Sequence, residues 1–236
     1  MLAVFINVAA VLIGASLGLL FGSRIRESYT KGIMMAIALC TFVIGVQSAV
    51  QTSSIMIVMV CLVLGTVIGV ALHLDDRMNG ASDRIRERLK GTKLAEGPFA
   101  DAFITTTMLF CVGTMTVIGS IEAGLNHNYE ILIAKSIMDF MSSLIFAAAL
   151  GAGVFLSAVS VLVIQGAIVL LASIAAPVLT AEVVTEMSAV GGTLFIGMAI
   201  NLLGISEKKI KIGDMLPAIF LPILYFPLKA WLSGLF

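Results

Sequence analysis

The sequence predicts an all-α polytopic transmembrane bundle of about eight spans, and composition, apolar run length and the placement of basic residues carry that prediction. The 236 residues are 60 % hydrophobic and 12 % charged, with a mean hydropathy of +1.12. Soluble domains carry about a quarter charged residues, so this chain is built for lipid. Formal charge is zero, and the basic residues gather in a few loops, which argues against a nucleic-acid partner and for a topological role. The three cysteines, Cys40, Cys61 and Cys111, all fall in apolar runs with no ligand histidine near them, so neither a disulfide framework nor a metal site is expected.

Runs long enough to cross about 30 Å of hydrocarbon at about 1.5 Å per residue lie near 3–22, 32–50, 55–73, 102–124, 131–150, 154–176, 187–205 and 214–234. Continuous apolar runs lack the alternation a membrane barrel needs, which leaves helices as the spanning element. The first run has its arginines behind it rather than ahead of it, so it reads as a retained span and not a secretory signal.

Orientation follows from lysine and arginine. Arg24, Arg26 and Lys31 follow span one; Arg77, Arg84, Arg86, Arg88, Lys90 and Lys93 follow span three; Lys208, Lys209 and Lys211 separate spans seven and eight. With eight spans these loops share one side, which the positive-inside rule makes cytoplasmic. Both termini are then expected outside, together with "QTSS", "NHNYE" and "TAEVVTE", which hold no lysine or arginine. Everything belongs to a single membrane domain, 1–236, with one hydrophilic cytoplasmic linker at 73–97, whose middle could form an amphipathic surface helix after Ser82.

Span four contains "VGTMTVIG" and span seven "VGGTLFIG", a slight match that suggests internal repetition. Helices 1–3 start outside and helices 6–8 start inside. Two such units would form an inverted repeat of the kind that builds many transporters.

Helix five carries the chemistry. Lys135 and Asp139 stand four residues apart inside an otherwise apolar run, where each unpaired charge would cost about 2.5–3.5 kcal/mol on insertion scales. They share one face and can pair. Ser136, Ser142 and Ser143 extend a polar stripe, and Glu122, at the outer end of helix four, is expected within reach of Lys135. Gln165 beside Gly166, Asn201, and Gln47 with Ser48 are further polar groups at membrane depth, each able to make an interhelical hydrogen bond. The candidate ion- or substrate-binding set is therefore Asp139, Lys135, Glu122, Ser136, Gln165 and Asn201. A structural ion pair locking helices four and five is the alternative reading of the first two.

Gly14, Gly18 and Gly22 form a G-x-x-x-G-x-x-x-G ridge on helix one, and Gly65 with Gly69 a shorter one on helix three. Such ridges serve close helix packing or a dimer contact. Pro217, Pro222 and Pro227 stand five apart in helix eight, where each removes a backbone bond and kinks or breaks the helix. No H-E-x-x-H or phosphate-binding loop occurs, so no enzyme activity, cofactor or ATP-driven pump is expected.

The stretches "VIGSIEAGLNHNYEILIAKSIMDF", "LGAGVFLSAVSVLVIQG", "AVGGTLFIGMAINLLGI" and "KIKIGDMLPA" resemble a bacterial membrane family designated domain of unknown function 554 over nearly the whole chain. Its pattern falls here on Gly119 and Gly124, on Lys135, Ser136 and Asp139, on Gln165 and Gly166, and on Ile210, Gly213, Leu216 and Pro217. The resemblance implies a multi-pass protein of the bacterial inner membrane and names no substrate. The residues themselves favour a small secondary transporter of a small solute or ion, with proton or sodium coupling, acting as a homodimer in the bilayer. A channel and a non-transporting membrane scaffold are the alternatives.

Overall fold

The computed structural model describes residues 1–22, 27–88 and 98–226. Among these every regular element is helical: α1 (Leu2–Gly22), α2 (Glu27–Ala49), α3 (Ile55–Ala71), α4 (Leu74–Arg88), α5 (Phe99–Cys111), α6 (Thr114–Leu125), α7 (Glu130–Leu150), α8 (Val154–Leu170), α9 (Ala172–Ala175), α10 (Ala181–Leu203) and α11 (Ile212–Met215), the last continuing into a 3-10 turn, Leu216–Phe220. Among the described residues, helices α1, α7 and α10 are each long and apolar enough to cross a membrane, and counting each of two bent pairs, α3 with the start of α4 and α5 with α6, as one span brings the number up to five. Met34–Ala49, Val154–Leu170 and Ile212–Phe226 are apolar but shorter.

Local chemistry sets several of these limits. Thr180 caps α10, its hydroxyl accepting from the Val183 N–H at 3.4 Å, and Gly204 ends that helix in the left-handed conformation at φ 65°, a geometry glycine adopts without a Cβ penalty. Pro217 sits at the start of the 3-10 turn, where its missing N–H matters least.

Large apolar side chains remain exposed along α1, α2, α3, α7 and α8, among them Phe5, Leu39, Met59, Ile137 and Val163. Apolar surface that extensive belongs against hydrocarbon. Helix α10 is the exception, buried over most of its length, with Val190, Leu194, Phe195 and Met198 in one core shared with α3, α5 and the C-terminal helical segment. A second core joins α1, α5, α7 and α8 around Phe110, Leu150 and Val161.

Three pairings dominate the packing: α1 on α7, α2 on α10, and α3 on the 212–220 segment. Glycine permits each. A Cβ on Gly14 would collide with the Phe140 carbonyl and the Ser143 hydroxyl, one on Gly18 with the Leu144 carbonyl, one on Gly45 with Gly192, and one on Gly65 with Ala218. The helix-one ridge is therefore consumed inside the chain, against α7, and is not free for a dimer contact.

The sequence reading needs four adjustments. The span expected at 102–124 is broken at Val112–Gly113, both extended, and its halves are bent by 53°. The span at 154–176 breaks at Leu171. Helix α10 starts at Ala181 rather than 187, because Thr180 supplies a cap. The linker helix starts at Leu74, well before Ser82; Pro227, Lys229 and residues 89–97 of the linker lie outside the described residues.

Candidate functional site

Helix α7 is apolar around most of its circumference, so the one face bearing charge must turn inward. Lys135 Nζ donates to Asp139 Oδ1 at 2.9 Å, and both side chains are buried. Helix α1 contributes the next member. Its Asn7 is fully buried and donates through Nδ2 to Asp139 Oδ2 at 2.9 Å and to Gln165 Oε1 of α8 at 3.2 Å. Four residues of three helices thus form one chain of polar contacts, from lysine through aspartate and asparagine to glutamine.

The orientation of both amides is dictated by the carboxylate. Asn7 must present its N–H groups to Asp139, and Gln165 must then present its carbonyl to Asn7; turning either amide would set like against like. The consequence is that Asn7 Oδ1 and Gln165 Nε2, both buried, have no partner among the described residues. Buried polar atoms are nearly always paired, and a missing partner costs about 1–3 kcal/mol. The cluster therefore lacks one donor and one acceptor, which water or a small polar solute could supply.

The broken helix lies beside this cluster. Lys135 Nζ sits 6.0 Å from the centroid of the Phe110 ring, near the limit of a cation–π contact. Phe110 belongs to the last turn of α5, and its carbonyl, freed by the break, accepts from Thr116 Oγ1 at 2.8 Å. Just past it, Cys111, Val112 and Gly113 line an apolar cavity of about 280 Å³ shared with α8 and α10. Buried Ser188 on that cavity wall also has no hydrogen-bond partner.

Of the residues expected at the site, Lys135, Asp139 and Gln165 come together. Ser136 is buried beside them, but its hydroxyl donates to its own helix at Leu132 O. Glu122 instead accepts from Asn126, at 2.9 Å, at the end of α6. Asn201 lies elsewhere, on α10, where its amide exchanges two bonds of 2.8 Å with the backbone of Ile210.

Sequence reasoning missed Asn7, although it is the lone side-chain amide of its apolar run and that isolation was the available signal. It also missed Glu186. This fully buried carboxylate of α10 accepts from Thr52 Oγ1 at 2.6 Å, the Ser53 N–H at 2.6 Å and Ser53 Oγ at 2.7 Å, just ahead of the N-terminus of α3, where a helix favours negative charge. A helix that starts at 187 leaves Glu186 in the preceding loop. At the other end of α3, Asp75 Oδ1 accepts from the Gly213 N–H while Asp214 Oδ1 accepts from the Asp75 N–H, each at 3.0 Å. Each carboxylate thus caps the helix that carries the other.

Residues 2–226 match the family model described as "Protein of unknown function (DUF554)". The chain belongs to this family. It is 30 % identical over 228 residues to the "Uncharacterized protein YqgA" of Escherichia coli (strain K12), covering 96 % of this chain and 95 % of that one. It is 26 % identical over 220 residues to the "Uncharacterized membrane protein YdfK" of Bacillus subtilis (strain 168), covering 92 % and 91 %. No solved structure matches. Membership agrees with the membrane character of the fold; the chemistry of the site rests on the residues themselves.

Proposed function

We propose that this protein is a small secondary carrier that moves a small solute or ion across the bacterial inner membrane, coupled to protons or sodium, with its site at Asn7, Lys135, Asp139 and Gln165. One observation carries this reading: a buried ion pair is tied to two amides that each retain an unpaired atom, beside an interrupted helix. Intramembrane charges most often mark ion or substrate paths, and broken helices supply transporters with free backbone groups near the site. In this mechanism Asp139 exchanges its contacts to Lys135 and Asn7 for a cation or proton, and the freed amides take up the solute. No bond is made or broken, so the activity is not enzymatic.

The reading includes eight spans with both termini outside, and an inverted repeat of spans one to three and spans six to eight. The contacts of α1 with α8, α2 with α10, and α3 with the 212–220 segment support the repeat, since these are the pairs its axis would relate. A homodimer also belongs to it, with the contact on a face other than the α1 ridge. A membrane scaffold is the second reading, favoured by the fact that Lys135 and Asp139 already satisfy each other. The deciding experiment is gradient-dependent uptake in proteoliposomes by wild type and Asp139→Asn: loss in the variant supports the carrier, and unchanged uptake removes it.

A further inference from the structure

A second polar site lies at the end of the bundle that holds α4 and the segment between α10 and α11. There α4, α5, α10 and residues 209–212 enclose a cavity of about 200 Å³, smaller than the roughly 300 Å³ at which drug-sized pockets begin. Its inner wall carries two groups of interest. Asp75 is 9 % exposed and is held rigidly, Oδ1 by the Gly213 N–H and Oδ2 by Asn79 Nδ2 at 2.9 Å. Thr105 is fully buried, and its hydroxyl has no partner. Its neighbour Thr106 donates to the carbonyl four residues back, at 2.7 Å, the usual refuge of a helical threonine. Thr105 does not, which leaves its donor and acceptor unspent just behind the cavity it lines.

The mouth carries two exposed lysine–aspartate pairs. Lys209 pairs with Asp101 at 2.8 Å and Lys211 with Asp76 at 2.9 Å, with lysine side chains 68 % and 57 % exposed. Exposed pairs of this kind contribute little, so either ammonium can turn to a new anion at small cost. Both ends of the Asn201 amide hold Ile210, which fixes the backbone between the two lysines at the cavity.

These charges select among ligands. A bare anion meeting the lysines would also face Asp75, and a bare cation at Asp75 would lie beneath two lysines. A molecule with an ammonium directed inward and a carboxylate at the mouth satisfies both. We propose that this cavity binds a small zwitterion of amino-acid size, its ammonium on Asp75 and Thr105 and its carboxylate on Lys209 and Lys211. The site is separate from the Lys135–Asp139 cluster and is read by binding rather than uptake, so either proposal can fail alone.

The test is calorimetric titration of the full-length protein in detergent with glycine, L-alanine, L-serine and β-alanine, and with ethylamine and propionate as single-charge analogues. At least one zwitterion should bind saturably, with each analogue about tenfold weaker or worse, as expected when a charged partner goes unmet. Thr105→Val and the double variant Lys209→Gln/Lys211→Gln should each weaken binding about tenfold. The ligand-free melting midpoint should hold, since neither change removes a partner from a buried polar group. Absence of saturable binding by all four zwitterions, equal binding of an analogue, or undiminished affinity in both variants would overturn the proposal.

Discussion

Replacing Gly18 by alanine adds one methyl group where α1 crosses α7, and the structure sets the size of the response. The new Cβ would lie 2.9 Å from the Ala147 Cβ and closer still to the Leu144 carbonyl, whereas carbon atoms rest about 3.5–4.0 Å apart. Helix α1 must therefore move outward by roughly 1 Å. Asn7 stands eleven residues earlier in α1, about three turns away and on the same face, so a rigid shift carries it along. Its bond to Asp139 would stretch from 2.9 Å to about 3.9 Å, beyond hydrogen-bond range. Overpacking costs about 1–3 kcal/mol, and a polar bond within a membrane bundle about 0.6–1.7 kcal/mol. The sum, roughly 2–5 kcal/mol, corresponds to a fall of about 4–20 °C in the melting midpoint for a chain of this size. Thermal melts in detergent measure it, with Gly80→Ala as control: nothing lies within 4 Å of a Cβ there, so that change should be neutral or slightly stabilising. The mass of the folded protein should not change, because the ridge faces α7 and not a second copy. A Gly18→Ala variant that melts with the wild type would refute the packing argument, and one that turns a dimer into a folded monomer would refute the placement of the ridge.

Other consequences can be checked the same way. Lys135→Met and Asp139→Asn should each destabilise by about 3 kcal/mol, since each strands a buried partner, and the double variant should lose less than the sum of the two; strict additivity would mean that the pair does not interact. Glu186→Leu should loosen the 51–54 turn by removing the acceptor that three of its donors share, at about 1–3 kcal/mol, and faster hydrogen exchange at the start of α3 would report it; unchanged exchange would contradict the proposed tether. Single cysteines near Thr52, Asn128 and Glu182 should react with an impermeant reagent added outside the cell, while one near Lys209 should not. Strong outside labelling at Lys209 would invert the topology.

What the sequence revealed, and what it hid, follows from the physics of lipid. Apolar run length fixes where a helix can lie, so α1 and α7 were legible almost to the residue. The i, i+4 spacing of Lys135 and Asp139 required a shared face, and the cost of two charges in hydrocarbon required them to meet. The break at Val112–Gly113 was hidden because both halves are equally apolar, and hydropathy does not register backbone direction. The role of Asn7 depends on α1 crossing α7, a contact between residues more than a hundred positions apart that no local pattern encodes. Glu186 was obscured because the uninterrupted apolar run begins only after it, at 187, although Thr180, six residues ahead of it, and Glu182 form a helix N-terminal signal. Glycine spacing announced a close-packed ridge but not its partner, because a tight contact within the chain and one between chains require the same residues.

The central claim is that Asp139, within the Asn7–Lys135–Gln165 cluster, binds the coupling ion of a carrier. Its most direct test is uptake of labelled small solutes into proteoliposomes under an imposed proton or sodium gradient, comparing wild type, Asp139→Asn and Lys135→Met/Asp139→Asn at matched amounts of folded protein. The account predicts saturable, gradient-dependent uptake by the wild type and its loss in both variants. Equal uptake by Asp139→Asn, or recovery in the double variant, would contradict it and return the pair to a structural role.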